Sequence, residues 1–425
     1  MHLKKLMINF VNKNFLTILF FFVLFIYAAA LEKLFSYNYK DSYAFSELFL
    51  NYQGGFVRRG FLGEVFMIFH KNFNTSPIIF FSSILFVIHI LNLFLLSRLI
   101  IKANLPIEIV VIIFFSPALI LFPIYDFNMF FVKDAFVKFL ILMHAFVITQ
   151  NRNSLEEYIF YLKFIILPLI FFTTLFIHEF QLLFIPIHLL FSLYVFKFKK
   201  KSLYLIYGAL ALFLFLVITK FIGNENILNE INSSISLFEV TVHQQLSGGF
   251  VSLLGGFYKW HFFYFGYKDF FMLFSSFLLS IWVFYFFFQN LIIKEILIYK
   301  FRFSYLLFFI PSFLLTFFLA LDHGRNLSLL SFHLVAFFLV LKVDASKLIQ
   351  FTKYLRSNFF LINCVYIFIF FYIFMWVLPQ DAGFGGREQV NTIFKSSLFA
   401  EMVSFVKSSY IFINNHIITL PEIKL

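Results

Sequence analysis

The chain has 425 residues, of which 62% are hydrophobic and only 13% are charged, and its mean hydropathy is +0.93. A soluble domain needs more polar side chains than this to cover its surface, so the composition excludes a soluble fold and predicts an integral membrane protein. The formal net charge of +12 fits the basic cytoplasmic connections of membrane proteins, so it does not require a nucleic-acid partner. The single Cys364 argues against disulfides and thiolate metal sites.

Apolar runs of about 20 residues, the length at which a helix crosses the bilayer, recur along the sequence. The first run is preceded by lysines and resembles a signal peptide, but we expect an uncleaved helix because it is long enough to span and many spans follow. In chain order the predicted spans are 14–31, 78–97, 107–124, 135–150, 159–177, 180–196, 203–222, 270–288, 303–321, 327–342 and 359–378. The sequence therefore predicts an all-α, polytopic helical membrane protein with about eleven transmembrane helices. The weak alternation argues against an outer-membrane barrel.

Lysine and arginine fall in alternate connections, which sets the predicted orientation. With a cytoplasmic N-terminus, every cytoplasmic connection is basic, as the positive-inside rule requires. The long segments 32–77, 223–269 and 379–425 then lie on the outer face. We expect residues 1–378 to form the transmembrane domain and 379–425 a C-terminal outer-face segment. Within the first outer loop, "FLGEVFMIFHKNF" is amphipathic and predicts an interfacial helix.

Polar residues gather at the outer ends of the predicted helices. Ionisable groups at the hydrocarbon boundary are costly unless paired or hydrated, so each is a site hypothesis. The stretches are "GGFVRRGFLGE" with Gly54, Gly55, Arg58, Arg59 and Glu64; "PIYDFNMFFVKDAF" with Asp126, Lys133 and Asp134; "FIHEFQ" with His178 and Glu179; "LDHGRNLS" with Asp322, His323, Arg325 and Asn326; and "DAGFGGRE" with Asp381, Arg387 and Glu388. A helical bundle could bring these stretches around one shared cavity.

These residue types suit transfer chemistry on a phosphorylated, lipid-linked substrate. Arginine forks hold phosphate or pyrophosphate and stay charged in a site of low dielectric constant, and neighbouring glycines let backbone N–H groups approach the same oxygens. A partly desolvated carboxylate can take the proton of an attacking sugar hydroxyl. We expect no metal or cofactor, because no close Cys/His set has ligand spacing and GxxxxGK[ST] is absent from the sequence.

Simple structural roles remain open for the same residues. Arg58 and Arg59 can serve only to anchor the interfacial helix in the headgroup layer. Asp126 and Asp134 can cap helices with Lys133 as their ion-pair partner. An ion pair between Asp322 and Arg325 can close a tight helical hairpin.

The aromatic-rich polytopic chain, with arginines and glycines in long outer loops, resembles bacterial Wzy-type O-antigen and capsule polymerases. "GGFVRRGFLGE", "IHE" and "DHGRN" look like signatures of bacterial polysaccharide-locus membrane proteins. The resemblance implies a glycosyltransferase of the inner membrane that joins oligosaccharide repeat units carried on undecaprenyl pyrophosphate at the periplasmic face. A chain-length regulator protein would be a further partner.

The resemblance also implies roles for individual residues. The arginines Arg58, Arg59, Arg325 and Arg387 would hold the donor pyrophosphate or acidic sugars. The base would be Asp322, Glu179 or Asp126. One departure concerns the acceptor site: the outer loop 223–269 has lysines but no arginine, whereas such polymerases often carry arginines there.

Two other classes stay open. Multi-span glycosyltransferases that use polyprenyl-phosphate sugars also have a long first outer loop with an acidic motif, for which Asp41, Glu47 and Glu64 are available. No adjacent acidic pair occurs in that loop, however. A flippase or transporter would need charged groups at the midplane of the membrane, where Lys138 and Lys163 are the clear examples.

Overall fold

The computed structural model describes part of the chain. The described residues are 15, 17–28, 43–57, 59–105, 107–125, 130–151, 153–178, 181–196, 207–210, 213–214, 217, 225–240, 274–275, 278, 280, 310, 323–340 and 357–374. All regular elements in these ranges are helical, and none of the described residues is in a strand. The prediction of an all-α fold is confirmed for this part of the chain.

Twelve helices account for most of the described residues. They are α1 (Thr17–Ala28), α2 (Tyr43–Ser46), α3 (Phe61–Phe73), α4 (Pro77–Ala103), α5 (Ile107–Phe115), α6 (Phe122–Tyr125), α7 (Asp134–Gln150), α8 (Leu155–Ile177), α9 (Gln181–Phe196), α10 (Glu225–Ile235), α11 (His323–Val340) and α12 (Phe359–Phe374). A 3₁₀ turn, Glu47–Phe49, continues α2. Two π-helical turns, Leu162–Ile166 and Thr173–Ile177, interrupt α8.

Two of the described helices are long and apolar enough to cross a membrane. They are α4, with 27 residues, and α8, with 23. Shorter apolar helices lie at Thr17–Ala28, Gln181–Leu193 and Gly324–Val340. By length and composition, these two described helices could cross a membrane, and the number eleven stays a prediction. Most of the predicted spans 203–222, 270–288 and 303–321 lies outside the described residues.

The predicted span 107–124 is not one continuous helix. Helix α5 ends at Phe115, a turn follows, and the described part of α6 begins only at Phe122. Pro117 explains the break, since proline lacks an N–H and disfavours the helical conformation of the residue before it. The hydroxyl of Ser116 accepts a hydrogen bond from the backbone N–H of Ala118 at 3.3 Å and satisfies this donor outside the helix.

Local signals fix the ends of other helices. Helix α4 begins with Pro77 after the extended Ser76, and proline is favoured at this first position because it lacks the N–H that would be unpaired there. It ends where Asn104 adopts a left-handed conformation with φ of 49°, which asparagine tolerates. At the start of α8, the Ser154 hydroxyl accepts from the N–H of Glu157 at 3.3 Å.

Helix α7 lies at the centre of the described bundle and packs against α4, α8, α9 and α11. Hydrogen bonds of polar side chains also join these helices. Asn92 donates to the carbonyl of Ala135 at 2.9 Å and joins α4 to α7. His144 of α7 is hydrogen-bonded to Tyr158 of α8 at 3.0 Å and to His188 of α9 at 2.8 Å. Such bonds hold helices together where lipid supplies no hydrophobic driving force.

The loop before α3 packs tightly against α10. Asn51 donates to the hydroxyl of Ser234 at 2.9 Å. A Cβ atom added to Gly54 would lie 2.9 Å from both the Cβ of Glu230 and the carbonyl oxygen of Ile227. Only glycine permits this approach without a shift of backbone. The close contact holds α10 over the loop that carries Arg59.

Replacing Gly54 by alanine will destabilise the protein by about 1–3 kcal/mol, because the added methyl group has to displace backbone of α10. The apparent melting temperature of the purified protein measures this loss. The matched control is Gly208→Ala, since among the described residues no atom outside its own helix turn lies within 4 Å of a Cβ added there. Equal melting temperatures for the two variants would contradict the tight contact.

Candidate functional site

Two ion pairs, a lysine and a histidine form one buried group that we call the charged cluster. It consists of Glu47, Arg59, Lys133, Asp134, His178 and Arg325. The 3₁₀ turn after α2, the loop before α3, the first residues of α7 and α11, and the end of α8 supply its members. Each of these segments lies at the end of a helix or in a connection, where backbone geometry can bring distant parts of the chain together.

The first ion pair joins Arg59 to Glu47. The Arg59 Nη1 atom lies 2.5 Å from Oε1 of Glu47, whose side chain is 1% exposed. Burial disfavours the ionised form of Glu47, but Arg59, and then Lys133, outweigh it and hold the pKa at about 2. Arg59 also has a φ of 67°, a left-handed conformation that is strained for a residue with a Cβ. The surrounding contacts therefore fix its backbone in a costly conformation.

Lys133 ties this pair to the rest of the cluster. Its ammonium group donates to the carbonyl oxygens of Arg59 at 2.8 Å and Glu47 at 3.1 Å. The side chain is fully buried, which is rare for lysine unless its charge is satisfied. Because Asp134 follows directly, Lys133 places the second ion pair beside the first.

The second ion pair is bidentate. Arg325 Nε lies 2.6 Å from Oδ2 of Asp134, and its Nη2 lies 2.8 Å from Oδ1. This two-point geometry fixes orientation as well as charge. It joins α11 to the first residue of α7, two elements separated by 191 positions in the sequence.

His178 completes the cluster. Its Nε2 atom lies 2.8 Å from Oδ1 of Asp134 and also contacts Nη2 of Arg325. The π-helical turn Thr173–Ile177 ends here, and the backbone of His178 becomes extended. Burial lowers the pKa of His178, Asp134 opposes that shift, and Arg325 adds to it. The net effect is a pKa below the usual value for histidine, which favours the neutral imidazole.

Basic side chains outnumber carboxylates among the described residues of the cluster. The cations are Arg59, Lys133 and Arg325, and the carboxylates are Glu47 and Asp134. Lys138 lies one turn further along α7, with its ammonium group 2.9 Å from the hydroxyl of Ser328. Arginine and lysine are the side chains that hold phosphate groups in proteins.

Neither described carboxylate is suited to take a proton. A general base needs a pKa near the working pH, whereas Glu47 is held near a pKa of 2 by its cations. Asp134 is committed to the two-point contact with Arg325. Both carboxylates instead position the cations around them.

Five of the predicted binding residues meet in the cluster, from four separate stretches of sequence: Arg59, Lys133, Asp134, His178 and Arg325. Gly54 and Gly55 lie in the loop before Arg59, and Gly54 faces α10. The predicted catalytic residues Asp126, Glu179 and Asp322 lie outside the described residues, as do Arg58 and Arg387. His323 begins α11, but its side chain is not described.

Two contacts of the cluster were not expected from the sequence. Asp134 is the first residue of α7, yet its carboxylate binds Arg325 rather than only capping its own helix. Glu47 joins Arg59 inside the cluster, although its sequence context, "FSELF", has no glycine, basic residue or second acid to mark it. No signal in the sequence pairs these two residues.

The chain matches no protein-family model, no curated protein and no solved structure.

Proposed function

We propose that this protein is a polysaccharide polymerase of the bacterial inner membrane. It would join oligosaccharide repeat units carried on undecaprenyl pyrophosphate, at the periplasmic ends of about eleven membrane helices. The observation that supports this proposal is the meeting of Arg59, Lys133 and Arg325 in one buried cluster, because the donor of this reaction is a membrane-bound pyrophosphate.

In the proposed reaction the acceptor sugar hydroxyl attacks the anomeric carbon of the donor. A new glycosidic bond forms, the bond from that carbon to the pyrophosphate oxygen breaks, and undecaprenyl pyrophosphate leaves with the electron pair. The charged cluster offsets the negative charge that grows on the leaving oxygen, which is the main electrostatic demand of this step. Asp322, Glu179 or Asp126 would accept the hydroxyl proton, since both carboxylates of the charged cluster are committed to cations.

The second candidate is a multi-span glycosyltransferase that uses polyprenyl-phosphate sugars. The position of Glu47 favours it, because this acid of the first outer loop lies inside the charged cluster beside Arg59. Its low pKa weighs against a role as base, so we place this candidate second. A flippase is a still weaker candidate, because it would need buried charges within its helices. Of the two lysines that could serve this purpose, Lys138 is buried within α7, but Lys163 is exposed on α8.

Deletion of the gene in its host tests the polymerase. We expect lipopolysaccharide or capsule carriers that bear one repeat unit instead of a ladder, because assembly and export of the unit do not need the polymerase. Gel electrophoresis of the surface polysaccharide, with the complemented strain as control, gives the readout. Complete loss of the surface repeat unit would contradict the proposal and favour an assembly glycosyltransferase or a flippase.

A further inference from the structure

Three buried side chains beside the charged cluster carry polar atoms that have no protein partner. Thr174 is 1% exposed, and Gln181 and Asn326 are fully buried. Among the described residues, Thr174 Oγ1, Gln181 Oε1, Asn326 Oδ1 and Asn326 Nδ2 make no hydrogen bond. We call these three residues the polar subsite.

The backbones of all three residues adjoin members of the charged cluster. Asn326 follows Arg325 on α11, and the backbone N–H of Gln181 donates to the carbonyl of His178 at 3.3 Å. Thr174 belongs to the π-helical turn at the end of α8, from which the carbonyl of Thr173 accepts the N–H of His178 at 2.6 Å. Turns of this kind occur frequently at functional sites.

A hydrogen bond to His188 fixes the orientation of the Gln181 amide and leaves the amide oxygen without a partner. Gln181 Nε2 lies 2.8 Å from Nε2 of His188, whose other ring nitrogen lies 2.8 Å from Nδ1 of His144. A neutral imidazole has one donor and one acceptor. When the amide nitrogen of Gln181 donates to Nε2 of His188, the Nδ1–H of His188 donates to Nδ1 of His144. Each of these nitrogen atoms then has a hydrogen-bond partner. Gln181 Oε1 therefore remains for a ligand.

The unpartnered atoms are costly in the absence of a ligand. A buried polar group without a hydrogen bond costs about 1–3 kcal/mol, and the polar subsite contains four such atoms. An apolar residue of similar shape would avoid the cost in each case. The sequence nevertheless places two amides and a hydroxyl on segments that adjoin the charged cluster.

The donors and acceptors define the chemistry of the ligand. Asn326 Oδ1 and Gln181 Oε1 only accept hydrogen bonds, Asn326 Nδ2 only donates, and the Thr174 hydroxyl does both. A phosphate offers acceptors alone and an ammonium offers donors alone, so neither satisfies this set. Hydroxyl groups both donate and accept. Two neighbouring hydroxyls match the two edge atoms of the Asn326 carboxamide, one donating to Oδ1 and one accepting from Nδ2.

We infer that the polar subsite binds neighbouring hydroxyl groups of a sugar residue, while the charged cluster beside it holds the pyrophosphate that carries this sugar. This inference rests on the proposed function and adds the group by which the sugar itself is recognised. Since all three side chains are buried, binding has to separate α8, α9 or α11 locally.

Binding of two lipid probes tests the inference. The protein is placed in nanodiscs of phosphatidylethanolamine and phosphatidylglycerol, without glycolipid or sugar-headed detergent. It is then titrated with undecaprenyl pyrophosphate and with undecaprenyl-pyrophosphoryl glucose, which has free neighbouring hydroxyls. We expect the native protein to bind the glucosyl probe at least about tenfold more tightly, equivalent to one or two hydrogen bonds.

Two variants remove the polar atoms and keep the shape of the site. Asn326→Leu is expected to bind the glucosyl probe no more tightly than undecaprenyl pyrophosphate, and Thr174→Val to lose part of the preference. Affinity for undecaprenyl pyrophosphate should not change in either variant. Neither should lower the melting temperature, because each replaces a buried unpartnered group by an apolar one.

The outcomes separate the two proposals. Equal affinities of the native protein for both probes, or a sugar preference that survives in both variants, would overturn the polar subsite and leave the anion site standing. Failure of the native protein to bind undecaprenyl pyrophosphate would overturn the proposed function and the subsite with it. If Asn326→Leu does not fold, the preference measured for Thr174→Val decides.

Discussion

Replacing Arg325 by methionine will destabilise the protein by about 3–5 kcal/mol, because it leaves the carboxylate of Asp134 buried without its cation. We expect a lower apparent melting temperature in detergent and less protein in the membrane fraction. Polymer formation in the complemented deletion strain should be lost. The single variant alone cannot separate a site from a structural ion pair, since both lose function when the fold weakens.

The double variant Asp134→Asn/Arg325→Met provides that separation. It removes both charges, and replacing a whole buried ion pair by neutral groups is often close to neutral for stability. We therefore expect the melting temperature to recover most of the loss while polymer formation stays absent. A double variant that restores the polysaccharide ladder would show that this ion pair serves the fold alone.

Replacing Lys133 by methionine will have the second largest effect. The ammonium group donates to the carbonyls of Glu47 and Arg59, and hydrogen bonds to charged groups contribute roughly 1.5–3 kcal/mol each. The substitution also removes one of the three cations of the described cluster. We expect a lower melting temperature together with weaker binding of undecaprenyl pyrophosphate.

The matched control is Lys163→Met on α8, where the lysine is exposed. Substitutions at such surface positions usually change stability by less than about 0.5 kcal/mol. Undecaprenyl pyrophosphate should bind to this variant as it binds to the native protein. An equal loss of affinity in both variants would mean that total charge, rather than the buried cluster, sets binding.

The helices of this protein were more predictable than the contacts between them. The expected span 135–150 corresponds to α7 at Asp134–Gln150, because an uninterrupted apolar run is a strong local signal. The expected span 107–124 is broken, since hydrophobicity alone overlooked the local effect of Pro117. Length and hydropathy predict whether a segment lies in an apolar environment. They do not predict where a proline interrupts the helical backbone.

In the charged cluster, too, the participating residues were more predictable than the contacts between them. An excess of ionisable residues at helix ends predicted Arg59, Lys133, Asp134, His178 and Arg325 as site members, since unpaired charges are costly there. The sequence could not show which partner each would choose. Arg325 binds Asp134 across 191 positions, and Glu47 has no distinguishing neighbours. Asn326 was visible beside Arg325, but only the structure shows that its amide lacks a partner.

Chain growth by the purified protein tests the central claim most directly. Native protein and the Asp134→Asn/Arg325→Met variant are reconstituted in parallel with undecaprenyl-pyrophosphate-linked repeat units from the host. The account predicts a ladder of longer glycans with the native protein, one undecaprenyl pyrophosphate released for each bond formed, and neither product with the folded variant. Folded native protein that leaves the repeat units unjoined, or a variant that joins them equally well, would contradict it.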